Sequence, residues 1–261
     1  MLVAKPPEPE EIYARTREEG RRRLSRPLLE LASTAFVAGI DVVFGIVALG
    51  TTHHYVAARF GDELGTLAGS LAFGIAFVFI VVGRSELFTE NFLVPIAGLD
   101  RRSRRSWLKL AELWTLSPIL NLLGGALMIL VVTTNGVLPD GTGAAIVSTA
   151  ETLDDNGLLS AFMSAVAGGA VITLMTWLVE GSEAMGTRIV AAWTAGVLLA
   201  LGAFNHVIVA TLELFFGIRY GGEIGWGDLV QNIGVAALGN LLGGVLFVTL
   251  TRMGQARAAA G

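Results

Sequence analysis

Six stretches of this chain, near residues 29–51, 65–99, 107–134, 158–180, 189–217 and 229–251, are predominantly apolar over a membrane-spanning length. A hydrocarbon slab of about 30 Å takes roughly 20 such residues of helix to cross, and inside it every backbone N–H and C=O must be satisfied within the protein. The runs predict an all-α integral membrane protein with six transmembrane helices. The stretch at 65–99 is too long for one straight crossing, and its Arg84, Glu86 and Glu90 have no place against lipid. The segment must fold back on itself, unless a complete span at 65–83 ends in a connector over 83–91.

Composition agrees with a bilayer setting. The chain is 53% hydrophobic and 15% charged, with a mean hydropathy of +0.66, whereas soluble domains carry about a quarter charged residues. It has no cysteine, which excludes disulfides and thiolate chemistry. The first 28 residues hold acids and seven basic residues without an apolar core, so no cleavable signal peptide is read there. They are expected to be a solvated cytoplasmic N-terminal arm, in which Glu10–Arg23 could form a short polar helix. Residues 29–251 then form the six-span domain and 252–261 a cytoplasmic tail.

Basic residues set the orientation. Of the 18, fifteen fall on one side of the six spans, only Arg59 and Arg219 on the other, and Arg84 lies within a segment. The positive-inside rule places both termini in the cytoplasm of a plasma (inner) membrane. The outer connection from 135 to 157 has no basic residue and carries Asp140, Glu151, Asp154 and Asp155. The Arg101–Arg105 cluster reads as a topology signal, with anionic lipid as a secondary contact.

An internal repeat orders the spans. Asn121-Leu-Leu-Gly-Gly in the third recurs as Asn240-Leu-Leu-Gly-Gly in the sixth, and Ala35-Phe-Val-Ala-Gly39 in the first is loosely echoed by Ala161-Phe-Met-Ser-Ala165 in the fourth. Repeats of three spans insert in opposite orientations, and interrupted helices at matching places in such repeats point to a central site. Here the interrupted members are the second and fifth, at Gly83–Asn91 and around His206. Paired glycines allow close helix approach. The interrupted helices would aim free N–H groups and positive dipole ends at the midplane, which favours anions. His206 adds a group that exchanges protons near neutrality, and Thr89 and Asn205 are uncharged donors. Asp41 is expected to pair with Arg84 or to cap a neighbour, and His53 and His54 to be exposed loop residues.

Glu86-Leu-Phe-Thr89, Asn205-His-Val-Ile208, Leu71-Ala-Phe73 and Gly239-Asn-Leu-Leu-Gly-Gly244 resemble the formate/nitrite transporter family. Phe44-Gly-Ile-Val-Ala-Leu-Gly50 and Gly83-Arg-Ser-Glu-Leu-Phe-Thr-Glu-Asn91 resemble most closely its less characterised YfdC-like branch. The resemblance covers about residues 29–251. It implies a homopentamer of aquaporin-like protomers, each with its own pore, carrying small monovalent anions such as formate or nitrite with proton involvement. It further implies a pore histidine at His206, a mobile loop around Thr89, and constrictions at Phe73, Phe77, Leu87, Phe88 and Leu199. An asparagine common in the family's fourth span corresponds to Thr173. Asn205 stands where many members have an acid, and an expected lysine near the start of the fourth span is absent. Membrane lipid is the remaining partner; no metal, organic cofactor or nucleic acid is expected. A neutral-solute pore and a scaffold without transport are the competing readings. An enzyme is disfavoured because the spans hold one histidine and no His-Glu-x-x-His pattern.

Overall fold

The computed structural model describes residues 7–154 and 157–259, so Asp155 lies outside the described residues. Every regular element is helical. A polar helix α1 (Pro9–Ser25) stops before Pro27, which in turn precedes α2 (Leu28–Phe60). Gly61, at φ 89°, makes the turn that a side chain would strain. The chain returns as α3 (Asp62–Phe73) and α4 (Ile75–Gly83). A 3₁₀ turn (Phe88–Phe92) and α5 (Val94–Gly98) lead to α6 (Arg104–Val132) and α7 (Thr142–Asp154). Then follow α8 (Leu158–Glu180), α9 (Met185–Leu201), α10 (Val207–Arg219) and α11 (Trp226–Leu241). A π-helical stretch (Leu242–Thr249) continues into α12 (Leu250–Ala259).

Among the described residues, five helical stretches are long and apolar enough to cross a membrane: α2, α3 with α4, α6, α8, and α11 through α12. The remaining crossing is the half-length pair α9 and α10, separated by the non-helical residues 202–206. The acidic connection over 135–157 contains α7, which buries Ala145, Ile146 and Ala150 and packs against α2 and α10. Two local expectations need correction. His53 and His54 are helical, because nothing interrupts α2 before Gly61. The N-terminal segment is a docked helix rather than a solvated arm: α1 packs on α5 and α12, with Gly20 against the backbone of Val94 and Gly98.

The two halves repeat each other in detail. Gly39 faces the backbone of Asn121 as Gly169 faces that of Asn240, and Gly124 meets the Phe36 carbonyl as Gly243 meets that of Val166. A Cβ at any of the four would collide with backbone, so here the absence of a side chain sets the interhelical distance. This packing also corrects the register of the weaker echo: Ala35-Phe36 corresponds to Ala165-Val166, not to Ala161-Phe162. Each break opens on a left-handed residue that is not glycine, Arg84 at φ 57° and Ala203 at φ 46°. Such a conformation costs an L-residue about 1–2 kcal/mol. Arg84→Gly and Ala203→Gly are therefore expected to keep the fold and raise its stability by up to about 1 kcal/mol each. Thermal unfolding in detergent measures this; a fall in midpoint for either would show that the side chain outweighs the strain.

Candidate functional site

Breaking a helix inside a membrane strands backbone donors and acceptors, and one asparagine answers at each break. Asn121 accepts from Phe88 N (3.0 Å) and donates to the carbonyls of Ala35 (2.7 Å) and Glu86 (2.9 Å). Asn240 accepts from Val207 N (2.8 Å) and donates to Ala165 O (2.7 Å) and Asn205 O (2.9 Å). Phe88 and Val207 therefore occupy equivalent positions, and so do Leu87 and His206. Two of the N–H groups at the start of α10 are already spent: Asn240 takes that of Val207, and His206 Nδ1 takes that of Val209 (3.3 Å).

His206 is fully buried and caps α10. With Nδ1 accepting from backbone, the proton of a neutral imidazole sits on Nε2, which donates to Thr89 Oγ1 at 2.6 Å. The two breaks thus meet in one side-chain pair. Phe77 lies edge-on to the imidazole (centroids 6.4 Å apart) and to Phe73 (6.1 Å). Phe73 and Leu199 in turn line a cavity of about 280 Å³, which also has α7, His53, Asp62, Ser70 and Glu213 in its wall. From this cavity toward the breaks the order is Phe73 with Leu199, then Phe77, then His206 with Thr89.

The other expected site residues lie elsewhere. Asn205 donates to Asn232 Oδ1 (2.7 Å) on α11. Thr173 donates to Gly169 O (2.8 Å) and lies beside Gly244, close to Phe92. Phe88 packs edge-on to Phe92 (5.0 Å), on the opposite side of Thr89 in sequence from Leu87, which is fully buried in the core. Asp41 accepts from Ser85 Oγ (2.6 Å), and Arg84, its expected partner, is exposed. Glu151 turns to the backbone N of Glu223 (3.1 Å).

The segment carrying Thr89 is tied down along its length. Glu86 N donates to Thr34 O (3.1 Å), Trp114 Nε1 to Asn91 O (3.0 Å) and Thr249 Oγ1 to Phe92 O (2.7 Å). From below, two guanidiniums insert, from Arg23 of α1 and from Arg26 just past its end. Arg23 reaches Glu86 (3.1 Å), Asn91 Oδ1 (3.1 Å) and Glu90 (3.6 Å), and Arg26 pairs with Glu86. The sequence held a signal for this clamp, since two acids buried in one short segment need cations. The arginines were legible only as topology markers.

A family model described as "Formate/nitrite transporter" matches residues 10–254. The chain is 24% identical over 253 residues to "Inner membrane protein YfdC" of Escherichia coli, covering 94% of this chain and 78% of that protein. It is 22% identical over 241 residues to "Formate channel BtFdhC" of Bacillus thuringiensis, covering 92% of each. Among solved structures, an "FNT family ion channel" superposes with a TM-score of 0.75 at 20% identity, covering 93% of this chain and 96% of that one. A "Pentameric formate channel with formate bound" gives 0.72 at 19% identity, covering 85% and 95%. These likenesses establish the fold.

The clamp has a defined pH window. Burial works to raise the carboxyl of Glu19, but the hydrogen bonds and charges of Arg22 and Arg23 outweigh it and bring it down from its ordinary 4.5 to about 2. A carboxyl depressed by folding contributes stability above its unfolded value and loses it as pH falls through the folded one. Glu19's contribution is then complete above about pH 4.5 and gone near pH 2. Wild type should unfold at a higher temperature than Glu19→Gln at neutral pH, with the gap closing over that acid range. A gap constant from pH 7 to 3 would refute this assignment.

Proposed function

Because the chain belongs to the formate/nitrite transporter family, we propose that it is a membrane channel or transporter for a small monovalent anion, or its weak acid, of the formate and nitrite class. The observation that carries the reading is the contact of His206 Nε2 with Thr89 Oγ1 at the meeting of the two breaks, one aromatic layer below a cavity. An ion is costly to pass through the apolar ring of Phe73, Phe77 and Leu199, whereas a neutral acid is not. Beyond the ring, the imidazole and the Thr89 hydroxyl supply a donor and an acceptor in a water-poor setting. A single polar pair holds a small permeant weakly enough to release it, as conduction demands. In this reading His206 and Thr89 lie on the path, and His206 exchanges a proton with the permeant.

One observation favours a second reading, a pore for small neutral solutes: no Lys or Arg lines the outer cavity, and the N–H groups of Val207 and Val209 are already taken. Proteoliposome flux of formate, nitrite, acetate, chloride and glycerol separates the two. Formate or nitrite should move and chloride should not; glycerol flux alone would favour the neutral pore. His206→Ala is expected to lower weak-acid flux at least about tenfold and to flatten its pH dependence, in the range of a lost acid–base group. Flux and pH profile both unchanged in His206→Ala and His206→Asn would remove the histidine from the path.

The proposed setting is a homopentamer with one pore per protomer and both termini in the cytoplasm. The formate channel with a pentameric assembly supports the first, the distribution of basic residues the second. Asn135→Cys, in this cysteine-free chain, should react only with label added outside the cell, and native mass spectrometry should give five chains. Labelling from inside, or a stable dimer, would overturn the corresponding half.

A further inference from the structure

Glu213 is the outlier of the outer half of the protein. It lies on α10 with 7% exposure and lines the 280 Å³ cavity, yet it makes no hydrogen bond or ion pair with any described residue. The elements packed on α10 bring it no counter-charge. On α2, His53 lines the same cavity but is paired with Asp62 of α3 (3.1 Å), and Asp41 bonds Ser85. On α7, Glu151 faces the backbone N of Glu223, and Asp154 is another acid. On α11, Asp228 accepts from Gly225 N, and on α6, Glu112 is paired with Lys109. The wall of the cavity that holds Glu213 is otherwise largely apolar, with the paired His53 and Asp62 and the hydroxyls of Ser70, Ser148 and Thr149 among its polar groups.

A weak-acid anion entering here meets no cation, and the next layer is Phe73 and Leu199. It needs a proton before it goes further, and the free acidic side chain in the wall can carry one. We propose that Glu213 is the proton-carrying group of the outer vestibule, an inference that rests on weak-acid transport as the function. The Glu213 O–H bond breaks as an O–H bond forms on the permeant's carboxylate. The neutral acid crosses the apolar ring, and the carboxylate left at Glu213 takes a proton from water in the cavity. Outward flux runs the same step in reverse.

Glu213→Gln keeps the size and polarity of the side chain but has no proton to transfer. Proteoliposomes loaded with a pH dye report formate-driven proton movement, and formamide, a neutral shape analogue that needs no proton, reports the open path. The ratio of the two fluxes should fall at least about tenfold in Glu213→Gln. An unchanged ratio, whether both fluxes persist or fall together, overturns the proposal and leaves Glu213 as part of the wall. Infrared difference spectra on adding formate to the purified protein supply a readout independent of flux. Wild type should show a protonated-carboxyl band that changes with formate and is missing in Glu213→Gln; its absence in wild type overturns the proposal. Failure of formate to cross wild-type liposomes, with that band present, would instead count against the transport reading.

Discussion

The site depends on two buried asparagine side chains. An interrupted helix in a membrane leaves N–H and C=O groups with no water to turn to, at about 1–3 kcal/mol for each one left bare. A primary amide has an acceptor and two donors on one short stem. Asn121 and Asn240 each use all three, joining a neighbouring helix to both sides of a break. Aspartate would lose both donors and leucine would lose everything. The glycines that follow then let helices approach until those reaches close, so the Asn-Leu-Leu-Gly-Gly pattern works as one device.

That device explains which parts of the architecture were legible in the sequence. Membrane crossings show as long apolar runs, and the repeat shows because the same backbone problem recurs and has the same answer. Other features depend on contacts far apart in the chain and leave no local trace. Helix α7 has a modest apolar face that matters only against α10, and the α1 arginines look like any basic arm until Glu86 and Glu90 are placed above them. Some of the N–H groups expected to be free at the breaks are taken, at Phe88, Val207 and Val209, for a related reason. The asparagine and histidine that cap them were identified, but their direction was not. His206 and Thr89 were legible as candidates; their 2.6 Å contact across the repeat was not. Asn205, read as an uncharged donor, and Thr173, singled out by the family resemblance, donate to Asn232 and Gly169, partners on their own side of the fold.

Duplication supplies two equivalent breaks, and the protein uses them unequally. Leu87 stands where His206 stands, and Glu86 where Asn205 stands. The first break is anchored by charge, through the α1 arginines, and the second by neutral hydrogen bonds to Asn232 and Asn240. The ionic anchor is itself buried, a costly arrangement that the doubled arginines offset, and it lies where Arg23 and Arg26 enter from outside the spans rather than at the His206–Thr89 pair. The centre keeps a single ionisable ring.

How that ring is held has a consequence for the energy economy of a membrane. Passing protons along a file of hydrogen bonds requires each member to receive on one side and release on the other. An imidazole does this with its two nitrogens. In His206, Nδ1 is occupied by the first turn of α10, so a proton that Nε2 gives up has to be replaced at Nε2. The residue is a cul-de-sac rather than a conduit. A cell that stores energy as a proton gradient is not short-circuited by such a ring, because it offers protons no through-path of their own.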